Sequence, residues 1–259
     1  MSELAPNTDD YELHALLRLV DAEQARADVL MNVVIPIGVA MAYETDWNRL
    51  MDRIVTDAKR LCHADGGSVF ILEKESQTLK PVILKVDSLK IALNAGSIPA
   101  GQTMGSVLGS SLAELAARTG ESVNVPDIHA EPLPIRGPVE AFDREHKYHT
   151  ESCLAVPLRG QSGHVVGVVC LMNAKRPFDN QTCAFEMGIQ QVVESLCLLA
   201  AAALESYVRQ QELRNYARDL KIQIDESQKG RQVSAIVQTE YFKSLQGRAR
   251  ELREAITRG

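Results

Sequence analysis

Residues 149–175 read HTESCLAVPLRGQSGHVVGVVCLMNAK. The pattern is strand, tight loop, strand, then a polar exit at Asn173-Ala174-Lys175. Leu154, Val156 and Leu158 alternate with Cys153, Ala155 and Pro157, so the two sets face opposite sides of a pleated strand. Nearly every position from Val165 to Met172 is apolar, which predicts a central strand covered on both faces. Gly167, in the middle of that run, leaves room for a close neighbour. The stretch holds no nucleophile elbow, glycine-rich phosphate loop or metal cluster.

Upstream, residues 126–150 carry Pro126, Pro132, Pro134, Pro138 and three histidines. They are expected to form a long functional loop with a short helix from Val139 to Arg144. SVNV (122–125) reads as a brief strand, and 103–119 as a helix closed by Gly120. SVFILEK and TLKPVILKV read as an antiparallel hairpin, with Val69 and Ile71 on one face and Ser68, Phe70 and Leu72 on the other. A helix from Thr45 to His63 presents Leu50, Ile54, Ala58 and Leu61 at its apolar spacing. Asp65-Gly66-Gly67 is expected to be the turn that ends it. Residues 9–30 read as a helix opened by Asp9 and Asp10, with a break at Pro36 and Gly38.

Downstream, the pattern turns helical from about Asn180. Ile189, Val192, Leu196, Leu199, Ala203, Ser206, Gln210, Leu213, Ala217, Leu220 and Ile224 fit a heptad series with a polar gap at Ser206 and Gln210. Lys229-Gly230 marks an expected break. Residues 231–257 read as a further helix, with Val237, Tyr241, Leu245 and Leu252 as its stripe.

The 259-residue chain has ordinary apolar content, 45%, and a net charge of −6. That balance argues against nucleic acid as the main partner. Residues 1–208 hold 17 Lys+Arg against 27 Asp+Glu, and residues 209–259 hold 11 against 7. The five cysteines form no Cys-x-x-Cys pair, which suits a reducing compartment. The apolar run VLMNVVIPIGVAMAY (29–43) is interrupted by Asn32, Pro36 and Gly38. It falls short of the roughly 20 residues a membrane span needs. A cytoplasmic protein is expected.

The order helix, hairpin, helix, short strand, long loop, hairpin, long helix resembles a GAF domain. LCHADGGSVFILE (61–73) is similar to the family's first helix running into its first strand. ESVNVPDIHAEP (121–132) is similar to its strand-then-loop signature, and ESCLAVPLRGQSGHVVGVVCLMNAKRPF (151–178) to its central hairpin. The resemblance implies an α+β, PAS-like antiparallel sheet with flanking helices. It divides the chain into an N-terminal helical segment (1–44), a GAF sensor domain (45–205) and a coiled-coil signalling segment (206–259).

Within the family the chain most resembles the cyclic-nucleotide-binding subset of phosphodiesterases and bacterial cyclases. Ser68 and Thr150 match that subset's ligand-contacting serine and threonine. Asn173 and Phe178 match its Asn-Lys-Phe-Asp-Glu signature. Lys175 sits one place late, Thr182 or Cys183 stands where the aspartate belongs, and Ile135 stands where a purine-stacking aromatic belongs. The pocket set implied is Ser68, Phe70, Met104, Asp127, Ile128, His129, Phe142, His146, Thr150 and Asn173. Asp127 is expected to cap a turn.

His146 and His149 lie three apart beside Asp143 and Glu145, but in a charged segment that reads as a solvated lid, so no metal is expected. Cys62-His63 is similar to the dipeptide that tethers bilins in some GAF photoreceptors, yet stands at a helix end instead of in a pocket loop. Some GAF proteins reduce methionine sulfoxide with pocket cysteines. Here Cys153 and Cys170 read as core residues, and no catalysis is expected.

The function expected is a dimeric sensor. It binds a small molecule, a cyclic nucleotide being the one implied, and relays it through a coiled coil to a downstream output protein. The alternative is a non-ligand-binding interaction or dimerisation module, or a regulatory fragment of a cyclase, phosphodiesterase or kinase.

Overall fold

A computed structural model describes residues 23–73, 76–94, 109–237 and 239–257. The expected helix over 9–22, and Met104, lie outside these residues. The first described helix, α1, spans Glu23–Ala42. It does not break at Pro36 and Gly38. A π-turn at Leu30–Val34 sends the Ile35 N–H back to the Leu30 carbonyl and leads into a regular stretch, Ile35–Ala42, with proline in its first positions. Proline inside a helix removes one backbone hydrogen bond, and the π-turn just before Pro36 has already shifted the bonding there from the i−4 to the i−5 carbonyl. Gly38 is needed for packing: a Cβ on it would lie 2.5 Å from Leu199 Cδ1.

Helix α2 (Trp47–Cys62) starts where Asp46 accepts a bond from the Arg49 N–H at 2.9 Å and ends at His63 in the left-handed region. Leu50, Ile54, Val55 and Ala58 on its inner face are fully buried. Strand β1 (Ala64–Glu73) then begins at once, so Asp65-Gly66-Gly67 lies within a strand and is not a turn. Gly67 is required by contact instead: a Cβ there would meet Val55 Cγ2 at 2.7 Å and Lys59 Cγ at 2.9 Å. The glycine pair that reads as a turn signal lets α2 lie close on the sheet.

Strands β2 (Thr78–Val86) and β3 (Ile91–Asn94) follow. Next come helix α3 (Ser110–Thr119), β4 (Val123–Val125), a 3₁₀ turn (Ile128–Ala130) and helix α4 (Leu133–His146). The expected loop over 126–150 is therefore mostly helix. Pro134 sits in the first turn of α4, where no N–H is missed; Pro138 lies inside the helix. Counting prolines as breakers hides this helix.

The quoted hairpin forms β5 (Cys153–Arg159) and β6 (Val165–Lys175). A two-residue strand, β7 (Thr182–Cys183), precedes helix α5 (Met187–Val237), which therefore starts later than Asn180. Helix α5 passes through Lys229-Gly230 without a break, because one helical glycine costs only about 1 kcal/mol. Helix α6 (Glu240–Thr257) is the last described element.

All pairings are antiparallel, in the order β3-β2-β1-β6-β5-β4, with β7 added on β6. β6 lies at the centre between β1 and β5, as its unbroken apolar run requires. A Cβ on Gly167 would run into the Phe70 carbonyl oxygen, which explains the glycine.

The sheet separates two cores. Val69, Leu154, Val156, Leu158, Val169 and Leu171 face α1, α2 and the first part of α5. Phe70, Cys153, Ala155, Val168, Cys170 and Met172 face α3 and α4. The alternation read in residues 153–158 assigns these faces correctly.

The described residues form two compact units that divide between Tyr207 and Val208. The heptad series divides with them. Val192, Leu196 and Ala203 are buried in the first unit's core, whereas Leu213 and Leu220 are 62% and 40% exposed. By length and composition alone, Glu23–Ala42 and Met187–Ile222 could each cross a membrane. Both spend apolar side chains on the core, including Val34, Ile37 and Met41 in one and Val193, Leu196 and Cys197 in the other.

Candidate functional site

The α3–α4 face of the sheet is where the resemblance places a pocket. Strand alternation sends Ser68 and Phe70 of β1 to this side, and register sets Ser68 opposite Cys170 of β6. Leu112, Ala113 and Ala116 of α3, Val139 and Phe142 of α4, and Ile128 of the 3₁₀ turn cover it. Ser68, Phe70, Ile128, Phe142 and Thr150 are all buried.

Buried polar side chains ring this core. Asp65 is 3% exposed. One of its oxygens takes the Lys175 ammonium at 2.5 Å. The other accepts from Ser88 Oγ at 2.6 Å and Tyr148 Oη at 2.8 Å. Burial alone would raise the Asp65 carboxyl. The bonds from Lys175, Ser88 and Tyr148, with the charge of Lys175, outweigh it and hold the pKa below the ordinary carboxylate value. Burial, and then the bond to Asp65, push the Tyr148 phenol far above its usual range.

Asn173 carries the network onward. Its backbone is left-handed at φ 54°. Its Oδ1 accepts from the Glu151 N–H at 2.8 Å, and its Nδ2 donates to the His149 carbonyl at 2.7 Å and Tyr148 Oη at 3.0 Å. Thr150 gives both its N–H and its hydroxyl to the Asp143 carboxylate of α4, each at 2.8 Å. These bonds clamp the end of α4 and the approach to β5 onto the sheet.

One buried group in this region stands apart. Ser110 is 2% exposed, and its Oγ has no partner among the described residues. Other buried atoms without partners belong to side chains that bond through their remaining polar atoms. Ser110 opens α3, and Gly109 before it, at φ 85°, supplies no capping side chain. The first N–H groups of a helix have no intrahelical acceptor and carry partial positive charge. Gly109 sits against Cys170, whose thiol donates to the Gly109 carbonyl at 3.5 Å, and Ser111 Oγ donates to the Ile135 carbonyl of α4 at 2.6 Å. A hydroxyl and a helix N-terminus that both lack a side-chain partner among the described residues together suit an anionic or strongly accepting group.

The structure thus draws Ser68, Phe70, Ile128, Phe142, Thr150 and Asn173 around one core. Asp127 caps the 3₁₀ turn by accepting from the His129 N–H at 2.9 Å, and is exposed. His129 stacks on His149, with ring centroids 5.0 Å apart. His146 stacks on Phe142 at 4.1 Å, its Nδ1 3.1 Å from the Phe142 carbonyl. Among the described residues, no three His, Cys, Asp or Glu side chains converge as metal ligands.

Sequence reasoning missed Asp65, Asp143, Tyr148 and Ser110. Asp65 and Tyr148 meet across 83 positions of chain, and no local pattern signals such a contact. Gly-Ser-Ser at 109–111 is a helix-start signal that could have marked Ser110.

Burial also decides the cysteines. It pushes the Cys62 thiol up to about 12 and raises Cys153, Cys170 and Cys197 well above the usual thiol value. Cys183 is half-buried, and burial raises it too.

The family model described as GAF domain matches residues 46–204. Among solved structures, the GAF domain of an Acinetobacter phosphoenolpyruvate-protein phosphotransferase is 16% identical, with 72% of this chain and 98% of that one covered and a TM-score of 0.48. The free methionine-R-sulfoxide reductase of Neisseria meningitidis, solved with its substrate, is 17% identical, with 71% and 93% covered and a TM-score of 0.46. The GAF domain of a putative sensor histidine kinase from Pseudomonas syringae pv. tomato is 13% identical, with 78% and 99% covered and a TM-score of 0.44.

Proposed function

The chain belongs to the GAF domain family, a family of signalling sensor domains, and on that premise we propose that it works as a dimeric cytoplasmic sensor of a small molecule. The ligand binds on the α3–α4 face of the sheet. The observation that carries this reading is Ser110, a buried hydroxyl that has no partner among the described residues, at the start of α3, which no described side chain caps. A buried hydroxyl left unpaired costs about 1–3 kcal/mol, so a site that keeps one gains by meeting an acceptor. The ligand class is a small molecule with a phosphate or carboxylate. A cyclic nucleotide is the member that the Ser68 and Thr150 resemblance favours.

Binding requires α4 to move. Phe142 and the Ser111 bond to Ile135 close that side. The Thr150–Asp143 and Tyr148–Asp65 bonds are the latch that a ligand must reorganise. The ligand shifts this equilibrium only by the difference in its affinity for the two states. The reading assigns no catalysis, because thiols held neutral by burial are poor nucleophiles. The five free cysteines support a reducing compartment.

Calorimetry with cyclic AMP and cyclic GMP, and a thermal-shift screen of phosphorylated metabolites and carboxylates, tests the receptor. Binding is expected, with Ser110→Ala weakening it about tenfold or more. No binding of any of them at millimolar concentration overturns it. Light scattering after gel filtration tests the dimer, for which twice 28.5 kDa is expected.

A second reading rests on a different observation. In the Val208–Gly259 unit, Leu213, Tyr216, Leu220, Tyr241 and Leu245 are all at least 40% exposed. That supports an interaction or dimerisation module that docks an output protein. Capture of such a partner by the full chain but not by residues 1–205, with no ligand bound at all, would favour it.

A further inference from the structure

The tip of the β5–β6 hairpin, Arg159-Gly160-Gln161-Ser162-Gly163-His164, lies far in sequence from α5 but closes onto it. The Gly160 N–H donates to the His164 carbonyl and the Gly163 N–H to the Gly160 carbonyl, each at 2.9 Å, which sets the turn. Gly163 takes the left-handed conformation this turn needs, φ 81°. Gly160 does not, so its lack of a side chain has another cause. A Cβ on Gly160 would overlap Glu205 Oε1, and would stand 2.8 Å from Glu205 Cδ and 3.0 Å from His164 Cε1. The glycine is the space that the Glu205 carboxylate occupies.

Glu205 fills that space with directed contacts. Its side chain is only 18% exposed. One oxygen accepts from the Gln161 N–H at 3.1 Å, and the other lies 3.5 Å from His164 Nε2. A glutamate on a helix surface normally keeps its carboxylate in water. Glu205 is also placed where α5 stops being a core helix. Ala200, Ala201, Ala203 and Leu204 are buried, Tyr207 meets Trp47 with ring centroids 5.4 Å apart, and Val208 to Gln210 are exposed.

We propose that Glu205 is a positioning residue: it ties the β5–β6 hairpin to the last buried turn of α5, so that a shift of those strands is carried into the helix where it leaves the domain. β5 and β6 are the strands that bring Cys153, Cys170 and Asn173 to the candidate ligand face. Strain at that face therefore has a rigid two-stranded lever, and its far end is held by Glu205. The proposal deepens the sensor reading by naming its relay, and its test needs no ligand, so either can fail without the other.

The test is hydrogen exchange read by mass spectrometry on the full chain, with Glu205→Ala, Glu205→Gln, Gly160→Ala and the Gly160→Ala/Glu205→Ala double variant. In Glu205→Ala, amides of residues 203–212 should exchange about tenfold faster while those of 154–158 and 168–172 stay unchanged. Glu205→Gln, which keeps an acceptor for the Gln161 N–H, should fall between. Gly160→Ala should loosen the same segment in the parent chain but add little once Glu205 is alanine, because the clash is then gone. Exchange of 203–212 within twofold of the parent in Glu205→Ala overturns the proposal, as does additivity of Gly160→Ala and Glu205→Ala. A general loosening of the sheet in Glu205→Ala would reduce it to a fold contact and also count against it.

Discussion

The two faces of the sheet are built on different principles. The face against α1, α2 and α5 is held mainly by aliphatic packing: Leu50, Ile54, Leu154, Val169, Leu171 and Leu196 are buried, and the charged groups buried on α2, Asp57 and Lys59, are paired with Arg60 and Asp87. The face against α3 and α4 mixes Phe70, Phe142 and Met172 with Ser68, Ser110, Thr150 and Asn173, and Asp65 is buried at its edge. Packing gains little from small motions and loses much from large ones. Hydrogen bonds can be exchanged for others of similar strength, at modest net cost. A sheet with one face of each kind is rigid on the side of the long helices and rearrangeable on the other.

The contrast breaks most readily in the aliphatic core. Leu196→Ala should cost about 3 kcal/mol in urea denaturation, because a fully buried leucine leaves a cavity its neighbours only partly fill. A cost near zero would mean that this face is not the anchor.

Asp65→Asn should cost about 2 kcal/mol at neutral pH, since it leaves Lys175 without its counter-charge. Its pH dependence is the sharper readout. The folded-state pKa of Asp65 is depressed, so its contribution is present above the unfolded value and is lost as pH falls through the folded value. The difference between parent and variant should therefore shrink as pH drops below about 4. Parallel stability curves down to pH 2 would remove Asp65 from this role.

Within the polar face, Thr150→Val should cost about 1–2 kcal/mol, because one Asp143 carboxylate oxygen loses the hydroxyl bond while the other keeps the Thr150 N–H, whereas Ser110→Ala should change stability by about 0.5 kcal/mol or less, or improve it. A loss above 1 kcal/mol in Ser110→Ala would show that its hydroxyl already has work in the fold. The smallest effect is kinetic. A thiol reagent should modify Cys183 first, with Cys62 and Cys197 on one face and Cys153 and Cys170 on the other reacting more slowly, as burial and raised pKa require. Equal rates at all five positions would erase the distinction between surface and core.

The central hairpin was legible because strand alternation is a local, period-two signal, and residues 153–158 obey it without exception. β6 was legible as the central strand because an unbroken apolar run needs cover on both faces. Proline and glycine misled wherever their role was tertiary. Pro36 follows a π-turn, Pro134 opens α4, and Gly67 makes room for α2. The short strands β3 and β7 carried too few residues to show a period.

What the sequence determined by itself was periodicity: which residues share a face, and the family order of elements. Each follows from side-chain spacing along one segment. Which polar groups are satisfied was decided only by tertiary structure. Asp65 finds Tyr148 and Lys175, Glu205 finds the space over Gly160, and Ser110 finds nothing among the described residues. Hydrogen bonds act over about 3 Å between groups that can be a hundred residues apart, so no local pattern encodes them.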